Sequence, residues 1–358
     1  MNGPCDSAAM LALPCDLLRA YSSAWNRTVT VAKSNGPNVV CFRAERRGLR
    51  GLLAEILRFV MIPTSLNCGA FMKTLKGSLM GECLAEFVGT FVLMLVGDGA
   101  VAVAVFTGAY NLTGVALMWG FGVLLAVYIS GGVSGAHLNP AVTACFAVFR
   151  KFPGRKVVPF VLSQVLGAFT AALTLFFCWH GFWAPTAGKM GVSVGQPGSQ
   201  RLMMVFSCFY PNPGIVGVTP QDLAKVTAGT AFLVEGVLTM FLLLSILALI
   251  DSRSVQAPGS NTAALFIGLT VAAVVGIGAP LTMDAVNPAR DFGPRLFAYL
   301  VGYGSIAFPG PRGNEWWIYI LAPLVGGIAG GLVYDGLIRP FLIPASQQSP
   351  ADTSSEAS

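Results

Sequence analysis

Charge is scarce in this sequence. Of 358 residues, 22 are Lys or Arg and 16 are Asp or Glu, which makes 11% charged against 54% hydrophobic. A soluble domain carries about 25% charged residues. A chain this long with so few cannot cover a folded surface with polar groups, and a lipid bilayer is the solvent that suits it. Histidine is scarcer still. Two copies leave little for a histidine-based metal site or a histidine-dependent hydrolase. The eight Cys form neither a disulfide framework nor a zinc spacing: Cys5, Cys15, Cys41 and Cys68 lie near the N-terminus, Cys83, Cys145 and Cys178 in or beside apolar segments, and Cys208 in a long loop. The net charge of +6 does not point to nucleic acid, because the basic residues sit in short loops and in the N-terminal tail, where they orient membrane proteins.

What the sequence does have is long apolar runs. Six come near the length of about 20 residues that a spanning helix needs: Ser78–Phe106, Leu112–Gly131, Val157–Phe182, Val226–Ile250, Ala263–Pro280 and Trp316–Ile338. Two more, Pro140–Phe149 and Pro288–Val301, are too short to cross. Each of these starts at an Asn-Pro pair, a helix-start signal in which Asn caps and Pro takes the first helical position. The 42 Gly suit helices packed closely in lipid.

The rest divides simply. Residues 1–75 form an N-terminal extension expected to be cytoplasmic and partly disordered. Within it, residues 44–60 place Leu49, Leu52, Leu53, Ile56, Leu57 and Val60 at helical spacing behind Arg46, Arg47 and Arg50. An amphipathic helix on an anionic membrane, a tail with helical tendency and an organelle-targeting leader all fit that pattern. Residues 76–340 form the apolar unit, and 341–358 are a polar tail expected to be disordered. Arg150, Lys151, Arg155 and Lys156 mark a cytoplasmic loop, which places both termini inside and residues 183–225 outside.

The apolar unit repeats itself. SGAHLNPA at Ser134–Ala141 answers TMDAVNPA at Thr282–Ala289, and Glu86 in the first span answers Glu235 in the fourth. The halves, about 76–182 and 226–340, hold three spans each, so the second enters the membrane inverted. The fold class is therefore all-α membrane protein, with six transmembrane helices plus two half-helices. The half-helices Asn139-Pro140-Ala141 and Asn287-Pro288-Ala289 would meet start to start at the midplane. Their free N–H groups and partial positive charges repel cations. The two Asn side chains would donate into the lumen. The extended backbone of Gly135, Ala136, His137 and Leu138, and of Met283, Asp284, Ala285 and Val286, would line one wall with carbonyl acceptors.

From about Leu75 to Pro340 the chain resembles the major intrinsic protein (aquaporin) family, its aquaglyceroporin or glycerol-facilitator branch most closely, on AEFVGT, SGAHLNPAVT, RKVVPFVLSQVLGAF, FYPNP and NPARDFGPR. The resemblance implies a homotetramer in the plasma membrane, or an organelle membrane if residues 1–75 redirect it, with one pore per copy. It implies Trp119, Val275, Asp284 and Arg290 as the selectivity filter, and Glu86 and Glu235 as braces for the half-helix loops rather than a proton relay. His137 would make local hydrogen bonds; a pH-sensing role is the alternative. Trp179, Asp291, Arg295, Pro323 and Leu324 match the glycerol branch. Asp284 departs from it, since glycerol facilitators place an aromatic there, and a pairing with Arg290 is the simplest expectation.

The expected function is a passive channel for glycerol, water and other small uncharged solutes that excludes ions and protons. The alternative is a channel selective for urea, longer polyols or neutral metalloid hydroxides because of Asp284. An ion-coupled transporter would need a second intramembrane charge network. A membrane enzyme would need a nucleophile–base pair, and none stands out. A junctional role without transport sits poorly with an intact Arg290 and both Asn-Pro-Ala motifs. No cofactor, metal or nucleic acid is expected; the partners are membrane lipid and small neutral solutes.

Overall fold

The computed structural model describes residues 75–342 except Ser260 and Asn314. The amphipathic stretch 44–60 and the tail beyond Leu342 lie outside the described residues. Eight helices build the membrane unit: α1 (Leu79–Thr107), α2 (Leu112–Ser134), the half-helix α3 (Pro140–Phe149), α4 (Gly154–Cys178), α5 (Ala228–Ile250), α6 (Ala263–Thr282), the half-helix α7 (Pro288–Ala298) and α8 (Ile318–Val333), which runs on through tighter turns to Phe341.

Local chemistry sets the helix starts. Ser78, Asn111 and Thr227 accept hydrogen bonds from Gly81, Gly114 and Thr230 N–H at 3.1, 3.0 and 3.1 Å, satisfying donors that a helix start leaves free. Six of the helices are long and apolar enough to cross a bilayer. Two boundaries differ from the sequence expectation. The third span ends at Cys178, and a separate helix begins at His180, because Trp179 folds into an aromatic cluster with Phe106 and Phe182. The second half-helix stops at Ala298 rather than Val301, where the chain enters a wide turn and then Gly302 at φ 111°.

The halves interlock. α1 packs on α2 and α4, α5 on α6 and α8, and α2 against α6. Each half-helix leans chiefly on the third span of the opposite half, α3 on α8 and α7 on α4. The α5–α8 contact is backbone against backbone: a Cβ on Gly326 would run into the carbonyl of Gly236. In lipid such dispersion contacts replace the hydrophobic effect as the glue between helices.

Ion pairs gather at the two ends. On the basic face, Arg150 after α3 grips Asp335 through two bonds of 2.9 Å, and Lys156 pairs with Glu82 at 2.7 Å. On the opposite, loop face, Arg312 Nη1 donates to the carbonyls of Tyr210, Leu223 and Val226 at 3.1, 3.0 and 2.8 Å. The backbone N–H of Arg312 donates to Glu315, which is 1% exposed. Burial pushes the Glu315 carboxyl up to about 7.

Gly326→Val should destabilise the protein by about 1–3 kcal/mol through overpacking. Gly181→Ala, where a Cβ meets nothing, should be neutral. Thermal unfolding in detergent separates the two. Glu315 supplies a pH test. A carboxyl raised by folding binds its proton more tightly in the native state, so its contribution is complete below its ordinary value of 4.5 and is lost as pH rises through about 7. The unfolding temperature should fall between pH 5 and 8, a loss of up to about 3 kcal/mol, and Glu315→Gln should flatten that slope.

Candidate functional site

The two half-helix starts are clasped to one another. Asn139 Oδ1 accepts from Ala141 N–H at 2.8 Å, and Asn287 Oδ1 accepts from Ala289 and Arg290 N–H at 3.0 and 3.3 Å. Each amide then reaches across. Asn139 Nδ2 donates to the Val286 carbonyl at 2.9 Å, and Asn287 Nδ2 donates to the Leu138 carbonyl at 2.8 Å. The amides expected to donate into the lumen also bond across the two loops. One N–H of each joins the loops, and the second is left for the cavity that both residues line.

The two carboxylates in the spans hold the loops from behind. Glu86 accepts from His137 and Leu138 N–H at 2.9 and 2.7 Å, and Glu235 from Ala285 and Val286 N–H at 3.0 and 2.9 Å. A trans peptide directs its C=O opposite its N–H. With these N–H groups turned onto Glu86 and Glu235, the carbonyls of Ala136, His137, Asp284 and Ala285 must face the other way, toward the cavity. The backbone is not simply extended, as the sequence suggested. Gly135, Ala136 and Leu138 have φ of 85°, 50° and 54°, and Met283, Asp284 and Val286 have φ of 64°, 57° and 43°. Left-handed φ in a β-branched residue such as Val286 is costly and survives only where its surroundings dictate it.

Support beyond these residues escaped the sequence reading. Ser134 and Gln164 donate to Glu86 at 2.6 and 2.7 Å. Thr143 bonds the ring Nδ1 of His137 at 3.1 Å, and that ring packs among Phe146, Phe152 and Phe160. A side-chain amide inside an apolar run, as Gln164 is, was the available signal.

Two cavities meet at shared residues. A cavity of about 200 Å³ on the basic-face side is lined by Gly135 through Asn139, Asp284 through Asn287, and an apolar wall that includes Leu242, Ile246 and Val271. A vestibule of about 650 Å³ opens to the loop face. Trp119, Val275 and Arg290 line both, so they form the neck between them. The Arg290 guanidinium lies over the Trp119 ring, 4.5 Å from its centre, so cation and indole stack together at the neck. Asp284 lines the inner cavity alone, and Met283 the vestibule alone. Asp284 forms no ion pair with Arg290, and both of its carboxylate oxygens lack a partner, as does Arg290 Nη1. The expected pairing is therefore absent.

Asp291 and Arg295 seat the long loop after α4 on α7. Arg295 pairs with Asp291 at 2.7 Å, fully buried, and also donates to the Cys208 carbonyl at 2.6 Å; Asp291 accepts from Cys208 N–H at 2.7 Å. Pro323 is buried within α8, with the half-buried Leu324 beside it. The four described cysteines are free, and no cluster among the described residues could hold a metal ion.

A family model described as major intrinsic protein matches residues 73–334. The chain belongs to the major intrinsic protein family. It is thereby an integral, multi-pass membrane protein of a channel family rather than an enzyme family. Relatives in this family include the glycerol uptake facilitator protein of Pseudomonas aeruginosa, 40% identical over 77% of this chain and 95% of that one. The corresponding protein of Escherichia coli K12 is 41% identical over 74% and 90%. The propanediol uptake facilitator PduF of Citrobacter freundii is 38% identical over 74% and 94%. Among solved structures, the aquaglyceroporin from Plasmodium falciparum aligns with a TM-score of 0.63 and 30% identity, covering 74% of this chain and 99% of that one.

Glu235→Gln tests the brace. A carboxamide offers one acceptor where two loop N–H groups need two, so one buried donor loses its partner at about 1–3 kcal/mol. The unfolding temperature should fall and solute flux with it. An unchanged stability would show that the loop holds its shape without Glu235.

Proposed function

We propose that this protein is a passive channel for glycerol that also passes water and other small uncharged solutes. The observation that carries the reading is the neck of Trp119, Val275 and Arg290 that joins a vestibule to the cavity lined by both Asn139 and Asn287. A solute crossing it meets N–H donors from Arg290 beside the apolar surfaces of Trp119 and Val275, and then a row of carbonyls opposite an aliphatic wall. That two-sidedness suits a molecule with hydroxyls along one edge and C–H groups along the other. Both relatives named as glycerol facilitators span nearly the same length, which supports glycerol over urea or a metalloid hydroxide.

Ion exclusion has two sources in this reading. The starts of α3 and α7 bring their partial positive charges together at the clasp, and Arg290 adds a full one at the neck. Water crossing the clasp would donate to the carbonyls and accept from the free N–H groups of Asn139 and Asn287. The protein acts as a homotetramer in the plasma membrane, with its basic face and both termini cytoplasmic and the vestibule outside. The exposed apolar side chains along α2, such as Leu117, Phe121 and Leu125, are available to lipid and to neighbouring copies.

Proteoliposomes in an inward glycerol gradient should re-swell at least about tenfold faster than empty vesicles by stopped-flow light scattering. The initial rate should rise in proportion to the gradient and ignore a protonophore. Saturation together with dependence on a proton gradient would replace the channel with a coupled transporter.

A further inference from the structure

One guanidinium closes the wall of the vestibule. Every residue from 212 to 219, and Asp222, lines that cavity. The chain enters this stretch at Tyr210 and leaves it at Leu223 and Val226, and Arg312 Nη1 takes the carbonyls of all three. The two ends are thereby stapled at a single nitrogen, and what lies between is a closed loop. The guanidinium also lies over the Tyr210 ring, 4.6 Å from its centre. Near its start the loop is fixed to the end of α6. Asn212 N–H donates to the Pro280 carbonyl at 3.2 Å, and Asn212 Nδ2 to the Ala279 carbonyl at 3.0 Å. Val275 and Met283, which line the vestibule, lie on either side of those carbonyls in the chain. The position of the wall is therefore tied to the backbone that carries one part of the neck.

Arg312 and Glu315 share one tight turn, in which Gly313 N–H donates to the Gly310 carbonyl and Glu315 N–H to the Pro309 carbonyl, each at 3.0 Å. Glu315 Oε1 accepts the backbone N–H of Arg312, and Oε2 has no hydrogen-bond partner. Gly310 packs on that free oxygen; a Cβ there would come within 3.1 Å of it. The charged groups around Glu315 are Arg312 on its own turn and Arg295 and Asp291 on α7, and the phenols are Tyr210 and Tyr319. Arg295 is already spent on Asp291 and on the carbonyls of Cys208 and Ala307. Arg312 is not. Its side chain bonds only through Nη1, which leaves Nε and Nη2. The turn thus holds an acid and a guanidinium that form no ion pair with one another.

We propose that Arg312 and Glu315 form a proton-operated latch on the vestibule wall, with Arg312 the positioning residue that holds the wall for solute entry and Glu315 the group that releases it. The proposal rests on the reading of the pore as a glycerol path. With Glu315 protonated, the guanidinium is left to the three carbonyls. Ionised, Glu315 is a buried carboxylate with a free oxygen, and it draws a guanidinium more strongly than a neutral carbonyl does. Arg312 then turns Nε and Nη2 onto Glu315, and Nη1 leaves the loop. The wall parts at its base, and Asn212 loses its fixed seat on α6. Burial places this change in the neutral range, because it pushes the Glu315 carboxyl up to about 7. The entrance is set for solute below that pH and slackens above it. Neither residue lines the vestibule, so both act through the wall rather than on solute.

The test is glycerol flux into proteoliposomes at pH values from about 5.5 to about 8.5, the same on both sides, read by stopped-flow light scattering. Flux through the wild type should fall several-fold, with its midpoint at about 7. Glu315→Gln cannot ionise and keeps an acceptor for the Arg312 N–H, so its flux should hold the acid level throughout. Arg312→Gln should show the low, alkaline level at every pH, and adding Glu315→Gln to it should change nothing further. Arg312→Lys still carries N–H donors for the carbonyls and should recover part of the acid-level flux. A merely structural pair would shift the level of flux and leave its pH profile in place. A wild type indifferent to pH, or a profile that survives in Glu315→Gln, overturns the latch. Should Arg312→Gln fail to reconstitute, the comparison of wild type with Glu315→Gln decides alone. Wild-type protein that passes no glycerol at any pH sinks the glycerol reading instead, and the same pH series on water flux then tests the latch by itself.

Discussion

Two broken helices have to be held end to end in a medium that offers their free ends no water. A helix start leaves N–H groups unpaired, and in hydrocarbon each such group costs several kcal/mol. The protein answers with reciprocal bonds: Asn139 to the Val286 carbonyl and Asn287 to the Leu138 carbonyl. Each asparagine caps its own half-helix with the oxygen and ties down the opposite loop with the nitrogen. The pore follows from this clasp. It brings the half-helix starts to one level and leaves one N–H on each amide for a passing solute.

The braces make the clasp rigid. Four loop N–H groups turn onto Glu86 and Glu235, and by peptide geometry four carbonyls turn the other way. A ladder of acceptors is thus a consequence of where two carboxylates sit on α1 and α5. The left-handed φ values at Ala136, Leu138, Asp284 and Val286 are what this arrangement demands of the backbone. A loop that is strained but doubly anchored has one shape, and a solute path needs one shape.

Much of this was legible in the residues. Apolar length located the spans, Asn-Pro located the half-helices, and the paired motifs implied inversion. Glu86 and Glu235 announced themselves as acids in apolar runs. What stayed hidden depended on directions that sequence spacing does not encode. Spacing does not say that an asparagine amide will reach across the midplane, or that Asp284 and Arg290 stand near one another without pairing. Asp98 is a different case. It is an acid inside a 29-residue apolar helix, at helical register from Glu86, and the same argument that singled out Glu86 applied to it. The long loop between α4 and α5 was opaque for a third reason. Its path is set by Arg295 and Arg312 bonding to carbonyls, and a carbonyl carries no sequence signature.

The repeat is symmetric in its frame and asymmetric in its charge. Glu86 and Glu235 occupy matching places, as do the two Asn-Pro-Ala motifs, and counting from them pairs the remaining residues. Asp98 matches Leu247, Asp284 matches Ala136, Arg290 matches Val142, Asp291 matches Thr143 and Arg295 matches Ala147. Asp98, Asp284, Arg290, Asp291 and Arg295 all belong to one level of the pore, and their counterparts at the other level are uncharged. A solute therefore exchanges its hydration for fixed polar groups most completely at a single place, near the vestibule. Past that place it runs between carbonyls and aliphatic side chains to the basic face. One discriminating step is enough for selectivity, and a second like it would slow the solute without adding to the choice. The frame that the duplicated half shares is the part that builds a pore, and the part it does not share is the part that chooses what enters.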